Sequence, residues 1–418
     1  MLLEARALRL RLGTAETLML QSVASLLEPD METAVLTGQD SPVKKDYSRL
    51  DGTPFRRSSV RALRTVVVGA GALGNEVVKA LGLLGVGDVL VVDPDRVEPS
   101  NLSRSVLFRT PQAAGANKAA ILAEACSALF PDTAWQAAGH EFADLGFGHL
   151  RAADLVFGCV DNEMARLEMA YAAAKLDRPV CDGGLGSAEM SRGRVSWFPG
   201  RDHACYSCRL RSQTRRELLT EWEAPRYSCW GDPPSAEAGF LSSTPTMAAI
   251  VGSMQVEIGL KHLLEQRRTG SSVGFSIDVS LSAPVRMESV EVKRSASCPF
   301  HGEPAGRLIP ASGDATFRDV LGSIGAPAPG TRPVVVLDWP ICTSAACDDC
   351  GHRWEPFRRA AALRRQGLCP RCHSRYVREL ETIRRVDLGS PWAGRTPPEL
   401  GLPPSHLHTV AFEQEDAQ

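Results

Sequence analysis

The sequence predicts an α/β protein built on an open, mostly parallel sheet flanked by helices, with a small separate domain near the C-terminus. Three observations carry that prediction. The stretch Thr65–Arg104, TVVVGAGALGNEVVKALGLLGVGDVLVVDPDRVEPSNLSR, reads strand, glycine turn, helix, strand. Further short apolar runs then alternate with segments of helical periodicity, the pattern of βαβ units. Finally, Cys347-x2-Cys350 and Cys369-x2-Cys372 flank eighteen residues, a spacing that suits one tetrahedral metal ion in a stapled domain. The prediction is a Rossmann-like sheet followed by a zinc ribbon.

In the first unit, Thr65–Val68 is a short β-branched run typical of a buried parallel strand. Gly69, Gly71 and Gly74 form G-x-G-x-x-G and open a helix from about Asn75 to Leu84. Glycines let the backbone approach a phosphate chain, and the helix start offers free N–H groups and a positive dipole end. A second strand, Val89–Val92, ends on Asp93, nineteen residues past Gly74, where a carboxylate can accept hydrogen bonds from ribose hydroxyls. Lys118 opens a helix that keeps helical spacing to Leu129. An apolar strand from Asp154 ends at Asp161-Asn162, and a helix from about Met164 to Lys175 follows, then a strand before Cys181. Ligands of open parallel sheets lie beyond the carboxyl ends of the strands, so one nucleotide can touch Gly69–Gly74, Asp93 and Asp161.

Later elements are a strand at Gly193–Phe198, the pair Cys205-x2-Cys208, and a polar stretch Arg211–Ser243 that holds Cys229. Pro245 opens a long helix to about Gln266, with Met247, Ile250, Val251, Met254, Ile258 and Leu263 as its expected buried face. Strands near Ser272–Val279 and Met287–Val292 lead to Cys298-x2-His301. The expected organisation is an extension over 1–45, the sheet domain over 46–302, a Gly/Ala/Pro-rich linker over 303–333, the ribbon over 334–385 and a tail over 386–418. Within the extension, Leu2–Leu12 reads as an edge strand and Thr14–Leu27 as a helix.

Composition narrows the function. A formal charge of −2 over 418 residues points to neither nucleic acid nor an anionic membrane. No run of eighteen apolar residues suggests a membrane span. The start, MLLEARALRLRLG, carries arginines inside its apolar stretch, which argues against a signal peptide. Twelve cysteines, several at metal-ligand spacing, suit a reducing cytoplasm better than a disulfide framework.

Four thiolates in two knuckles close a tetrahedral zinc shell and leave no position for catalysis, so the ribbon reads as a structural or partner-presenting element. Cys205, Cys208, Cys298 and His301 could close a second zinc, but pairs about ninety residues apart are equally consistent with unrelated surface residues. Asp161 suits Mg²⁺ against a triphosphate; alternatively it caps the next helix. Arg104 and Lys118 alone would be solvated charges. Beside Gly71, Asp93 and Asp161 they supply cations for a triphosphate and a departing pyrophosphate.

Together, GAGALG, VVDPDRVEPSNLSR, AGANK, GCVDN and the C-x2-C and C-x2-H pairs around the PTMAAIVGSMQVEIGLK helix resemble the ThiF/MoeB superfamily, which includes the ubiquitin-activating enzymes. The resemblance spans Tyr47 to His301. It implies Mg-ATP, adenylation of the C-terminal glycine carboxylate of a ubiquitin-like or sulfur-carrier protein, and a homodimer. It places ribose at Asp93, phosphates at Asn101, Arg104 and Lys118, and magnesium at Asp161. Tyr47-Ser48-Arg49 resembles the segment that family dimers lend to the partner's site, making Arg49 an arginine finger in trans. It also favours the second zinc, with His301 standing where cysteine is more usual. Ser105 stands where the family often has glutamine. Cys229 falls where thioester-forming members carry their nucleophile, with Arg226 nearby to lower its pKa; a conjugating enzyme would then take the acyl group. Two rivals remain. A sulfur-carrier adenylyltransferase of cofactor biosynthesis stops at the acyl-adenylate. An NAD-dependent oxidoreductase explains the glycines and Asp93 but leaves S-N-L-x-R, Lys118 and V-D-N without a role.

Overall fold

The computed structural model describes residues 18–22, 34–36, 46–108, 113–186, 191–223, 244–282, 284–301, 307–312, 314–324, 330–403, 406 and 408–414. The chain divides into two compact units, one formed by 25–302 and the other by 1–24 together with 303–418. Strand β1 (Leu18–Ser22) belongs to the second.

The larger unit carries β2 (Ala34–Leu36), β3 (Arg64–Val68), β4 (Asp88–Val92), β5 (Ala134–Ala138), β6 (Leu155–Gly158), β7 (Val180–Leu185), β8 (Arg192–Phe198), β9 (Phe275–Ser280) and β10 (Arg286–Glu291). They form one sheet in the order β10-β9-β8-β7-β6-β3-β4-β5-β2. The five central strands, β5-β4-β3-β6-β7, are mutually parallel. Antiparallel strands finish both edges. The order reverses between β3 and β6, which opens a crevice at their carboxyl ends, where open α/β sheets bind ligands.

Helix α1 (Arg57–Arg61) leads into β3. Helices α2 (Ala72–Leu84) and α3 (Lys118–Leu129) follow β3 and β4, and α4 (Phe147–Ala152) precedes β6. Helix α5 (Glu163–Leu176) joins β6 to β7 and covers the opposite face, as right-handed crossovers in opposite directions require. Two further helices, α6 (Tyr206–Arg209) and α7 (Ser212–Glu223), pack on α5.

The long helix α8 (Pro245–Thr269) packs on α2 and across β6, β7 and β8. Thr244 caps it, Pro245 occupies its first turn, and Gly270 ends it in the left-handed region. Its buried face differs from the apolar pattern. Ile250 is 36% exposed, Met254 and Ile258 are only partly buried, and Gly252, Gln255 and Gly259 lie inward. Close approach explains this. A Cβ on Gly252 would lie 2.7 Å from the Glu76 Cβ, and one on Gly259 would lie 2.9 Å from the Phe157 ring.

In the second unit, β11 (Arg307–Ala311), β12 (Thr331–Cys347), β13 (Arg353–Trp354), β14 (Arg358–Arg359), β15 (Val377–Val386) and β16 (His408–Gln414) join β1 in a seven-stranded sheet. The main path is β11-β1-β16-β12-β13, and β14 and β15 also pair with β12. Helices α9 (Phe317–Ser323) and α10 (Ala360–Gln366) complete it.

Three expectations change here. Leu18–Ser22 is a strand, not part of a helix, because it pairs with β11 and β16. The expected linker over 303–333 contributes β11, α9 and the start of β12. The expected tail over 386–418 contributes β16 and buries Val386, Ala393, Leu400, Leu402 and Val410 in one core with Phe317, Val335 and Ile341. Leu2–Leu12 lies outside the described residues. Among the described residues, no helix is long and apolar enough to cross a membrane.

Candidate functional site

Three glycines do three jobs at the end of β3. Gly69, at φ +99°, donates its N–H to the Val92 carbonyl at 2.8 Å, and a Cβ there would meet the Cys159 carbonyl at 2.5 Å. It therefore seats the turn in the crevice beside β6. A Cβ on Gly74 would lie 2.0 Å from the Gly69 carbonyl oxygen, so this position packs helix against loop. A Cβ on Gly71 would meet nothing within 4 Å, so the backbone here faces open space at the start of a thirteen-residue helix.

Two asparagines, Asn75 buried and Asn117 half-buried, frame the loop. The Asn75 amide donates to the carbonyls of Ala70 (3.2 Å) and Gly71 (3.1 Å), and its Oδ1 accepts from Leu107 N at 3.0 Å. This ties the loop to the segment that carries Arg104. Asn117 donates to the carbonyls of Asp93 (2.8 Å) and Asp95 (3.1 Å) while its Oδ1 caps α3 at Ala120 N.

Asp93, only 7% exposed, ends β4 inside this frame. Its Oδ2 accepts from Ala70 N at 2.6 Å and its Oδ1 from Asp95 N at 2.8 Å. Burial pushes its pKa up, and those two bonds and the Lys118 charge oppose the rise. Each oxygen keeps a lone pair, which is what a ribose acceptor needs. The Lys118 ammonium meets Asp95 Oδ2 at 2.9 Å. Asn101 is buried with its Oδ1 on Glu98 N at 2.9 Å, and half-buried Arg104 follows one turn later. Ser105 is buried.

Asp161 is exposed beyond β6, and the cap of α5 is its neighbour: Asn162 Oδ1 accepts from Ala165 N at 2.8 Å. The Asp161 carboxylate is therefore not consumed in capping. Beneath it, Arg166 donates to the Val160 carbonyl (2.6 Å), the Gly183 carbonyl (3.2 Å) and both oxygens of buried Asp182 (3.2 Å). Burial raises the Asp182 pKa, and Arg166 is the main force against it. From α8, Gln255 donates to the carbonyls of Gly158 (2.9 Å) and Cys181 (2.7 Å), bracing β6 against β7. Asn75, Asn117, Arg166, Asp182 and Gln255 were not among the residues the sequence marked for function. A polar side chain at an inward helix position is the local signal for Asn75, Arg166 and Gln255, whereas Asn117 caps α3 and Asp182 lies in β7.

Arg49 lies elsewhere. Tyr47 donates to Asp132 at 2.9 Å, and the Arg57 guanidinium sits 4.1 Å from the Tyr47 ring centre and donates to the Gly85 carbonyl. Asp132 precedes β5 and Gly85 precedes β4, so this segment is anchored at the amino ends of the strands. The glycine loop is at the carboxyl ends, about 16 Å away across a five-residue strand. The structure does not bring Arg49 to the nucleotide crevice of its own chain. Cys229 and Arg226 lie outside the described residues.

The two metal-spaced sets each converge. Ligand atoms of Cys205, Cys208, Cys298 and His301 lie within 4.8 Å of one another, as do those of Cys347, Cys350, Cys369 and Cys372. Sulfur separations of 3.7 Å (Cys205–Cys298) and 3.6 Å (Cys350–Cys369) match the edge, about 3.8 Å, of a tetrahedron with 2.3 Å arms. Each set fits one zinc ion.

The ThiF family model matches residues 50–300. Over 264 residues the chain is 31% identical to a sulfur carrier protein adenylyltransferase of Thermus thermophilus, covering 61% of this chain and 89% of that protein. Over 248 residues it is 27% identical to ubiquitin-like modifier-activating enzyme 5 of Dictyostelium discoideum, covering 55% of this chain and 61% of that enzyme. The match thus spans less than two thirds of the latter's length. A crystal structure of E. coli MccB with ATP aligns at TM-score 0.45 and 16% identity, over 59% of this chain and 69% of that one.

Proposed function

Because the chain belongs to the ThiF family, we propose that it adenylates the C-terminal carboxylate of a ubiquitin-like or sulfur-carrier protein at the β3/β6 crevice. The observation that carries this reading is that an open-faced Gly71, a framed Asp93, Lys118 and an exposed Asp161 lie at or beside the carboxyl ends of β3, β4 and β6. Asp93 takes the ribose. The α2 N-terminus, Asn101, Arg104 and Lys118 take the phosphates. Asp161 holds Mg²⁺, which when bound supplies positive charge against the phosphate oxygens.

An oxygen of the acceptor's carboxylate attacks the α-phosphorus. The bond to the bridging oxygen breaks, and pyrophosphate leaves with that electron pair. Positioning and charge neutralisation account for the rate. Lys118 must exchange its Asp95 partner for phosphate as the nucleotide binds, since both claim the same ammonium. Arg49 acts on the site of a second copy, which makes a homodimer the working form.

In the ubiquitin-like version the Cys229 thiolate then attacks the acyl carbon, AMP leaves, and the thioester passes to a conjugating enzyme. The polar stretch holding Cys229 supports this version. The 89% coverage of the Thermus relative supports the sulfur-carrier version, in which the adenylate itself is the product. Both belong in a reducing cytoplasm.

The test is exchange of labelled pyrophosphate into ATP with candidate small acceptors ending in glycine. Exchange that needs the terminal glycine supports adenylation, and its absence with every acceptor of both classes, or turnover of NAD instead, overturns it. A reductant-sensitive adduct lost in Cys229→Ser supports the thioester; one that persists assigns it elsewhere.

A further inference from the structure

The cluster of Cys205, Cys208, Cys298 and His301 touches none of the nucleotide residues, yet it is built onto the helix that begins beside Asp161. The chain leaving β8 passes the C-terminus of α5 at Gly200 and Arg201. The Arg201 Nε donates to the Ala174 carbonyl at 2.9 Å, its Nη2 donates to the Lys175 carbonyl, and its N–H donates to Asp177 Oδ1 at 2.9 Å. Both carbonyls lie in the last turn of α5, where intrahelical partners run out; Ala174 also accepts from Asp177 N at 3.4 Å, and Arg201 adds a cap from outside the helix. Gly200, at φ +141°, makes the approach feasible, because a Cβ would lie 2.7 Å from Asp177 Oδ1.

The same residue orients a zinc ligand. The Arg201 carbonyl accepts from His301 Nδ1 at 2.9 Å, which leaves Nε2 facing Cys208 Sγ at 3.1 Å. Such outer partners fix a ligand's tautomer and ring plane. A second contact reinforces the first. Phe300, beside His301, meets Tyr171 of α5 at 5.4 Å between ring centres, and Trp222 of α7 closes the triad at 5.3 and 5.7 Å. At its other end, α5 begins with the Asn162 cap, and one turn on Arg166 holds Val160 and Asp182. A helix of fourteen residues, about 21 Å long, thus runs from zinc cluster to strand end.

We propose that Arg201 is a positioning residue that couples metal occupancy of the Cys205–Cys208–Cys298–His301 site to Mg-ATP binding at Asp161, with α5 as the rigid connection. The proposal rests on the adenylation reading for the place of the nucleotide. Loading the cluster fixes His301, and through it the Arg201 cap and the C-terminal seat of α5. Losing the metal frees that seat and loosens the Val160–Asp161 end. Coupling between two binding sites is reciprocal, so Mg-ATP must tighten the metal by the factor by which the metal tightens Mg-ATP.

The experiment uses the intact protein with cobalt(II) as the metal probe, since its visible bands separate a three-thiolate, one-imidazole set from the four-thiolate ribbon. Cobalt affinity at the first set is measured by chelator competition with and without saturating Mg-ATP, in the absence of any acceptor protein. We expect about fivefold or tighter cobalt binding with Mg-ATP, the lower end of ordinary allosteric coupling. In Arg201→Ala the same site still fills, but the difference falls below about twofold; Arg201→Lys lies between. Cobalt affinity indifferent to bound Mg-ATP in the wild-type protein overturns the coupling and leaves the adenylation reading standing. Full coupling retained in Arg201→Ala overturns the role of Arg201. A protein that binds no Mg-ATP overturns the adenylation reading and the coupling with it. If Arg201→Ala fails to fold, the wild-type comparison still decides the coupling, and Arg201→Lys decides the part of Arg201, which full wild-type coupling in that variant overturns.

Discussion

Gly71 and Gly74 belong to one motif, yet alanine at the two positions has opposite signatures. At Gly71 the backbone sits at φ −70°, which alanine adopts without strain, and its Cβ meets nothing within 4 Å. Stability should therefore change by less than about 1 kcal/mol, since a lost glycine cap costs tenths and a stiffer unfolded chain returns a similar amount. The methyl group does occupy the space a phosphate must enter. Keeping the phosphate from even one charge-assisted N–H bond costs about 1.5–3 kcal/mol, roughly 10- to 150-fold in ATP affinity. At Gly74 the Cβ would lie 2.0 Å from a backbone oxygen, so the loop itself must move. Overpacking of this kind costs about 1–3 kcal/mol, or a few degrees in Tm for a domain of this size. Thermal melts paired with nucleotide titration by calorimetry read both quantities. Gly71→Ala binding ATP within twofold of wild type would refute the placement of phosphate over this turn. A Gly74→Ala protein as stable as wild type would refute the packing argument.

Asp161→Ala should abolish pyrophosphate exchange while leaving the melting temperature unchanged, because Asn162 and not Asp161 caps α5; Asn162→Ala should instead cost about 1 kcal/mol of stability. A stability loss in Asp161→Ala that matched its activity loss would count against a magnesium role. Gln255→Leu removes the donor that holds two strand-end carbonyls, so chemical denaturation should show a loss of about 2–4 kcal/mol. Mixing inactive Arg49→Ala with inactive Asp161→Ala should restore about a quarter of wild-type exchange, because half of randomly formed dimers carry one complete site. No recovery after exchange of subunits would rule out an arginine delivered in trans.

The nucleotide half of this chain was legible because its logic is local. β-branched residues before Gly69, a glycine where φ is +99°, a helix start and an acidic residue after the next strand are neighbours in sequence and in space. The metal pairs were half legible. Each knuckle is local, but Cys205–Cys208 and Cys298–His301 meet only because α8, β9 and β10 loop out between them and return. Spacing states the ligand types of that site and says nothing of its closure.

What stayed hidden depends on long-range pairing or on small residues. The Pro- and Gly-rich stretches after residue 302 look like linker and tail because composition reports turns. Yet β1, β11 and β16 complete one another's hydrogen bonds across nearly the whole chain length, and those partners leave no local trace. Likewise α8 buries Gly252 and Gly259 and leaves Ile250 at the surface, because α2 and β6 come too close for a side chain. Periodicity counts apolar residues, whereas close packing selects small ones. Gln255 follows from the same geometry. With Gly183 opposite, where a Cβ would lie 2.3 Å from the Gln255 oxygen, the amide reaches two carbonyls at the sheet's working edge. Gln255, which braces two strand ends of the site, therefore has its partners 97 and 74 residues away in sequence. The residues expected to touch the nucleotide sit on short turns that announce themselves.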